Sequence, residues 1–158
     1  MAADPVVALM SIRPRFAQAI LEGVKLVELR RVPLKRPITH VVIYETAPTA
    51  AIVGVFGVGN VVERTPRAVW DKYNGTSGLT KREFDAYFTG KHLAIVIEVG
   101  EATRLSEAVR LSDLSIRRPP QSFMYLPLPL AERFLKETRS HGNWRRSTSL
   151  EAGADPCS

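Results

Sequence analysis

A single cysteine, Cys157 beside the C-terminus, leaves the chain without the means to form a disulfide framework or a thiolate metal cluster. That usage fits a reducing compartment. No stretch approaches the roughly 18 apolar residues of a membrane span. The start, Met1-Ala2-Ala3-Asp4-Pro5, lacks a basic segment followed by an apolar one. The expectation is a cytoplasmic protein with no membrane partner. The three histidines do not fall at metal-ligand spacing such as H-x-x-x-H, so a metal-dependent reaction has no support, and no cofactor is expected. Internal repeats and low-complexity tracts are also missing.

The composition that remains is that of one globular domain: 158 residues, 45% hydrophobic and 24% charged. Residues 1–138 are expected to form it, with 139–158, rich in Gly, Ser and Thr and without apolar periodicity, as a disordered C-terminal tail. The net charge is +6, and the first 36 residues hold +4 of it, with seven basic residues from Arg13 to Arg36 facing Asp4, Glu22 and Glu28. Such a concentration attracts anions, nucleic acid or nucleotide phosphate above all, unless it is merely a solvated basic face.

Along the chain, residues 7–12 are apolar, and Pro14 then starts a short helix to about Glu22, which Gly23 ends in the left-handed conformation. Lys25 to Arg31 reads as a strand, with Glu28 and Arg30 on one face and Val27 and Leu29 on the other. Two strands follow, Thr39–Glu45 and Ala51–Val62. The second contains Gly54, Gly57 and Gly59 within a valine-rich run, which predicts a bulged or curved strand rather than a phosphate-binding loop. A second helix opens at Thr65-Pro66. A third opens at the capping box Thr80-Lys-Arg-Glu83, where threonine oxygen and glutamate carboxylate satisfy each other's end of the backbone, and it ends near Gly90. His92–Val99 is apolar on both faces and therefore central. Ala102–Leu111 adds a further strand, Ser115–Leu128 a proline-stiffened loop, and Leu130–Thr138 a last helical stripe.

The segment Ser11-Ile12-x-Pro14-x-x-Ala17-x-x-Ile20-x-x-Gly23-x-Lys25-x-x-Glu28-x-Arg30 resembles the ASCH (activating signal cointegrator homology) family, whose signature G-x-K-x-x-E-x-R is matched at all four positions by Gly23, Lys25, Glu28 and Arg30. Pro119-Pro120-Gln121-Ser122-Phe123 is also similar to bacterial members, so the resemblance spans about residues 7–127. It implies an α+β fold, a small mixed PUA-like β-barrel with short peripheral helices around a cleft, and a role in binding RNA or modified nucleosides.

Two residues apart on one strand face, Glu28 and Arg30 have Cβ atoms roughly 6.5–7 Å apart, near enough to pair or to grip one planar ligand. A carboxylate accepts from an exocyclic amine, and a guanidinium donates to a base edge or a phosphate. Lys25 follows the chain reversal at Gly23 and can swing over the same cleft. Desolvation beside Arg30 would lower its pKa and make it a proton acceptor or nucleophile. The ordinary alternatives are a structural ion pair and a solvated lysine. Tyr125, with Arg117, Arg118, Gln121 and Ser122, is expected to wall the cleft, whereas Tyr44 and Trp70 serve the core. Trp144-Arg145-Arg146 offers either an auxiliary nucleic-acid arm or a plain tail.

Three function classes follow. One is an RNA- or nucleoside-binding domain using Arg13, Lys25, Glu28, Arg30, Gln121, Ser122 and Tyr125. Another is an enzyme, a metal-independent ribonuclease or a nucleoside amidohydrolase, with Lys25 and Glu28 as its catalytic groups. The last is a protein-interaction module in transcription or translation, with a protein partner. The amidohydrolases that the resemblance brings in carry a threonine three positions after the lysine, where this chain has Glu28, and that departure removes their hydroxyl. Glu83 is explained by its capping box and left outside the site.

Overall fold

The structure, a computed structural model, describes residues 3–142. In chain order its elements are β1 (Val7–Ile12), α1 (Pro14–Leu21), β2 (Val27–Arg30), β3 (His40–Glu45), β4 (Ala51–Arg64), α2 (Pro66–Tyr73), α3 (Lys81–Tyr87), β5 (Ala94–Val109), a 3₁₀ turn (Leu111–Leu114), β6 (Phe123–Tyr125) and α4 (Leu128–Gly142). The strands form one mixed sheet in the order β2-β5-β4-β3-β1-β6. β1 and β3 run parallel and the other neighbours antiparallel. The expected barrel is present as a curled half-barrel with short helices packed against both faces of its sheet, an α+β fold.

The apolar run at 7–12 is a strand, and an interior one. Val7, Ala8, Leu9 and Met10 are all fully buried because β1 has a strand on either side and a packed layer on both faces. Alternation divides them: Val7 and Leu9 join Val42, Val55, Phe134 and Leu135 beneath α4, while Ala8 and Met10 join Ile20, Ile43, Phe56 and Ile95 beneath α1. A third cluster packs Val69 of α2 and Phe84 of α3 on Val27, Leu29 and Val96.

The curl comes from β4 and β5. Their pairing shifts register between Ile52 and Gly54, Phe56 and Val58, and Val58 and Val61, each shift adding bend and twist. The two segments expected as separate strands at 92–99 and 102–111 are instead one, Ala94–Val109, carried past a bend at Gly100. A Cβ at Gly100 would stand 2.8 Å from the Gly57 carbonyl oxygen, so the two backbones can cross closely only with glycine there. β6 emerges within the segment expected to be loop alone, pairing with β1 through Ala8, Leu9 and Met10. Tyr44 is buried and Trp70 half-buried against Phe84, with ring centroids 5.2 Å apart. α4 continues beyond Thr138 to Gly142. The rest of the 139–158 segment, including Trp144-Arg145-Arg146, lies outside the described residues. Among the described residues no helix is long and apolar enough to cross a membrane.

Candidate functional site

A cleft of about 630 Å³ opens beside β2, lined from α1 by Arg15 and Phe16, from the β1–α1 corner by Ser11, Ile12 and Arg13, and from α3 by Glu83, Ala86 and Tyr87, with Lys25, Glu28 and Arg30 also on its wall. Local geometry brings the last three together. Helix α1 begins with Pro14 in its first turn and stops at Gly23, whose φ of 80° is strained for any side chain. The amides of Val24 and Lys25 then both donate to the carbonyl of Ala19, folding the chain back over the helix end. Lys25 therefore precedes the regular strand and escapes its alternation, so its ammonium reaches Glu28 although the two positions differ in parity.

The Lys25 ammonium donates to the Ser77 carbonyl and lies 3.9 Å from Glu28 Oε2. Arg30 Nη2 is 3.2 Å from Glu28 Oε1. All three side chains are buried, Lys25 at 1% exposure and the other two at 7%. Burial pushes the Lys25 pKa below the ordinary lysine value, and this outweighs the attraction of Glu28; Arg30 and Arg15 push the same way as burial. Ser77 is itself buried, held by the hydrogen bond that its amide N–H donates to the Tyr73 carbonyl at the end of α2.

Arg30 has a second task. Its Nη2 donates to the Ser11 carbonyl at 3.1 Å, and its Nη1 to Ser122 Oγ at 3.3 Å and, marginally, to the Ser122 carbonyl at 3.5 Å. β2 is one edge of the sheet, and β1 with β6 lies at the other. The guanidinium thus closes the half-barrel with side-chain hydrogen bonds where no strand pairing exists. Two buried atoms in the group have no hydrogen-bond partner, Glu28 Oε2 and Arg30 Nε.

The rim is cationic and aromatic. Arg15 Nη2 donates to Glu83 Oε2 at 2.7 Å, and the Arg15 guanidinium lies 4.5 Å from the centroid of Phe16, a ring that also has the Lys25 ammonium 5.0 Å away. That hydrogen bond, followed by the one from the Thr80 amide, holds the Glu83 carboxyl down at about 2. The Arg31 guanidinium stands 4.6 Å from the Tyr87 ring, whose hydroxyl donates to the Leu29 carbonyl. Burial pushes the Tyr87 hydroxyl above its ordinary value.

Of the residues expected from the sequence, Arg13, Lys25, Glu28 and Arg30 share this cleft, and Ser122 touches it through Arg30. Gln121 is exposed and does not line it. Neither does Tyr125, whose hydroxyl accepts from the amides of Lys35 and Arg36 and whose ring packs on Phe123 and under the Arg36 guanidinium. The aromatic wall is Phe16 and Tyr87 instead. Glu83, left out of the site on its capping box, does form that box and also lines the cleft. His40 is half-buried at the start of β3, away from the cleft, and burial lowers its pKa. Among the described residues no group of three or more His, Cys, Asp and Glu stands where it can hold a metal ion.

No family model matches the chain. It is 29% identical over 123 residues to an ASCH domain-containing ribonuclease of Zymomonas mobilis, covering 75% of this chain and 83% of that protein. It is 28% identical over 120 residues to the large ribosomal subunit protein uL22 of Ureaplasma parvum, but there it spans only 38% of the relative's length. Among solved structures, a serine-to-alanine variant of the Zymomonas mobilis ASCH protein superposes with a TM-score of 0.77 at 25% identity, covering 85% of this chain and 98% of that one. The ASCH crystal structure from the same organism gives 0.75 at 26% identity over 82% and 94%.

Proposed function

This chain is an ASCH domain, and on that premise we propose that its cleft binds single-stranded RNA and cleaves the backbone without a metal. The observation that carries this reading is Lys25, a lysine buried to 1% exposure with its pKa lowered, on the wall of a cleft that four arginines also line. The name of the Zymomonas mobilis relative, a ribonuclease matched over most of its length, supports the same reading.

In the proposed reaction the ribose 2′-oxygen bonds to the adjacent phosphorus as the bond from phosphorus to O5′ breaks, leaving a 2′,3′-cyclic phosphate and a 5′-hydroxyl. Neutral Lys25 takes the 2′-hydroxyl proton, O5′ takes a proton from a solvent water as it leaves, and the Lys25 ammonium then gives its proton to the resulting hydroxide, which restores the base. A lysine of ordinary pKa is protonated near neutral pH and has no lone pair to offer, so its desolvation is what makes it a base. Glu28 holds the ammonium that results. Arg13, exposed at the cleft edge, meets the phosphate, while Arg30, with most of its donors engaged inside the protein, is a positioning residue.

A second reading, a single modified nucleoside as ligand, draws on the cleft volume of about 630 Å³, a size typical of small-molecule sites. Both are tested by incubating wild type and Lys25→Ala with end-labelled single-stranded RNA in a chelator, and in parallel with acylated nucleosides. The expected result is cyclic-phosphate product from wild type, reduced about 100-fold or more in the variant. RNA cleavage at the wild-type rate by Lys25→Ala would sink the assignment. Turnover of the nucleosides alone would favour the second reading.

A further inference from the structure

Lys25 lines the cleft, yet almost none of its surface meets solvent, and Glu28 Oε2 and Arg30 Nε are buried without hydrogen-bond partners. Such atoms carry a desolvation cost that a polar ligand reaching them would relieve. Something therefore covers a floor that is built to be reached. Helices α1 and α3 both contribute to the cleft wall, and among the described residues the one hydrogen bond between them is that from Arg15 to Glu83, 68 positions apart.

Its partners are exposed, 61% and 36% for the two side chains, and ion pairs in that setting contribute little, so they exchange partners readily. Glu83 also has somewhere to go. Its carboxylate accepts from the Thr80 amide at 3.0 Å in the capping box, a bond that release of Arg15 leaves intact. On the other side, the Arg15 guanidinium and the Lys25 ammonium both lie against Phe16, so a displacement of Arg15 and that ring uncovers the lysine. Arg30 cannot exchange in the same way, being committed to Ser11, Ser122 and Glu28.

We infer that Arg15 is a phosphate-binding residue whose ligand position is occupied in the free protein by Glu83, and that an RNA phosphate displaces this carboxylate and opens the cleft over Lys25. The inference rests on the RNA reading. Exchange is neutral in charge, since a carboxylate and a phosphodiester each carry one negative charge, but a phosphate can meet the guanidinium with two oxygens where Glu83 meets it with Oε2 alone, the oxygen it also shares with the Thr80 amide.

The test compares Glu83→Gln, Arg15→Ala and a control, Asp85→Asn, which removes another α3 carboxylate from an exposed pair with Lys81. Glutamine keeps the capping box, so the helix start is preserved. Two readouts are taken: acylation of Lys25 by an amine-reactive reagent without RNA, mapped by mass spectrometry, and affinity for a short 2′-O-methyl RNA, which cannot be cleaved. Both Glu83→Gln and Arg15→Ala are expected to raise Lys25 labelling. Glu83→Gln should tighten RNA binding about two- to fivefold, the scale of an exposed ion pair, whereas Arg15→Ala weakens it. Unchanged labelling in both variants, or equal tightening by Asp85→Asn and Glu83→Gln, would overturn the inference. Raised labelling in both variants with no RNA binding by any protein would remove the RNA reading and with it Arg15's phosphate, while the ion pair would stand as the cover of Lys25.

Discussion

Three charged side chains within six positions, Lys25, Glu28 and Arg30, are all buried, and burial of this kind is expensive unless each charge has partners. Glu28 has a cation on either side, at 3.2 and 3.9 Å. Arg30 has four acceptor contacts, three of them across the barrel and one to Glu28 on its own strand. Lys25 has one carbonyl and a more distant carboxylate, and there burial wins, which lowers its pKa. A lowered lysine pKa gives a definite sign in pH dependence. The active form of the base is neutral, so cleavage is expected to rise with pH through a limb whose midpoint lies below the ordinary lysine value of 10.5. The limb should be present in single-turnover rates of wild type and vanish in Lys25→Ala. A wild-type rate that is flat with pH, or a limb surviving in the variant, would remove Lys25 from that role. The four signature residues were legible as a motif, but the burial of Lys25, Glu28 and Arg30 was not: Arg30 as a ligand grip and Arg30 as the closure of the sheet require the same residue at the same place.

Among the elements, β4 is where local sequence spoke most directly. Glycines in a valine-rich run predicted a bent strand, and three register shifts bend it. Gly54 sits where the bend meets α1, and a Cβ there would lie 2.5 Å from Leu21 Cδ2 and 2.8 Å from the Thr103 carbonyl oxygen. The leucine methyl can move but the backbone carbonyl of the neighbouring strand cannot without breaking the pairing. Gly54→Ala is therefore expected to destabilise by about 1–3 kcal/mol. Gly75→Ala, where nothing lies within 4 Å, should leave the urea midpoint nearly unchanged. Equal midpoints for the two variants would contradict the close approach. The capping box of α3 was equally legible because Thr80 and Glu83 are three residues apart. The loop expected to wall the cleft was not, because Tyr125 belongs to an edge strand whose position depends on β1, and β1 itself gave no alternating signal.

For the whole molecule, the relevant quantity is the distribution of its +6 charge. The basic excess of the first 36 residues converges on one opening, since Arg13, Arg15, Arg30 and Arg31 all line the cleft. With Arg30 tied inside, three arginines remain to meet phosphates. Single-stranded RNA binding should then weaken with salt at a slope of about −2 in log affinity against log concentration, and Arg15→Ala should reduce its magnitude by about 0.7. A slope near zero in a titration by fluorescence anisotropy would speak for a neutral nucleoside in the pocket and against a bound backbone.

What could be read from residues alone were features whose determinants lie within a few positions of one another: helix starts at Pro14, Pro66 and Thr80, the stop at Gly23, the bent strand, and the motif from Gly23 to Arg30. Only the folded chain could bring Lys25 to Ser77 across 52 positions, Arg15 to Glu83 across 68 and Arg30 to Ser122 across 92. Periodicity and capping act over one or two turns of backbone, whereas the Arg30 contact exists because a curled sheet returns its edges to each other and the other two because the connection through α2 and α3 folds back over β2 and α1, and no local pattern carries either return.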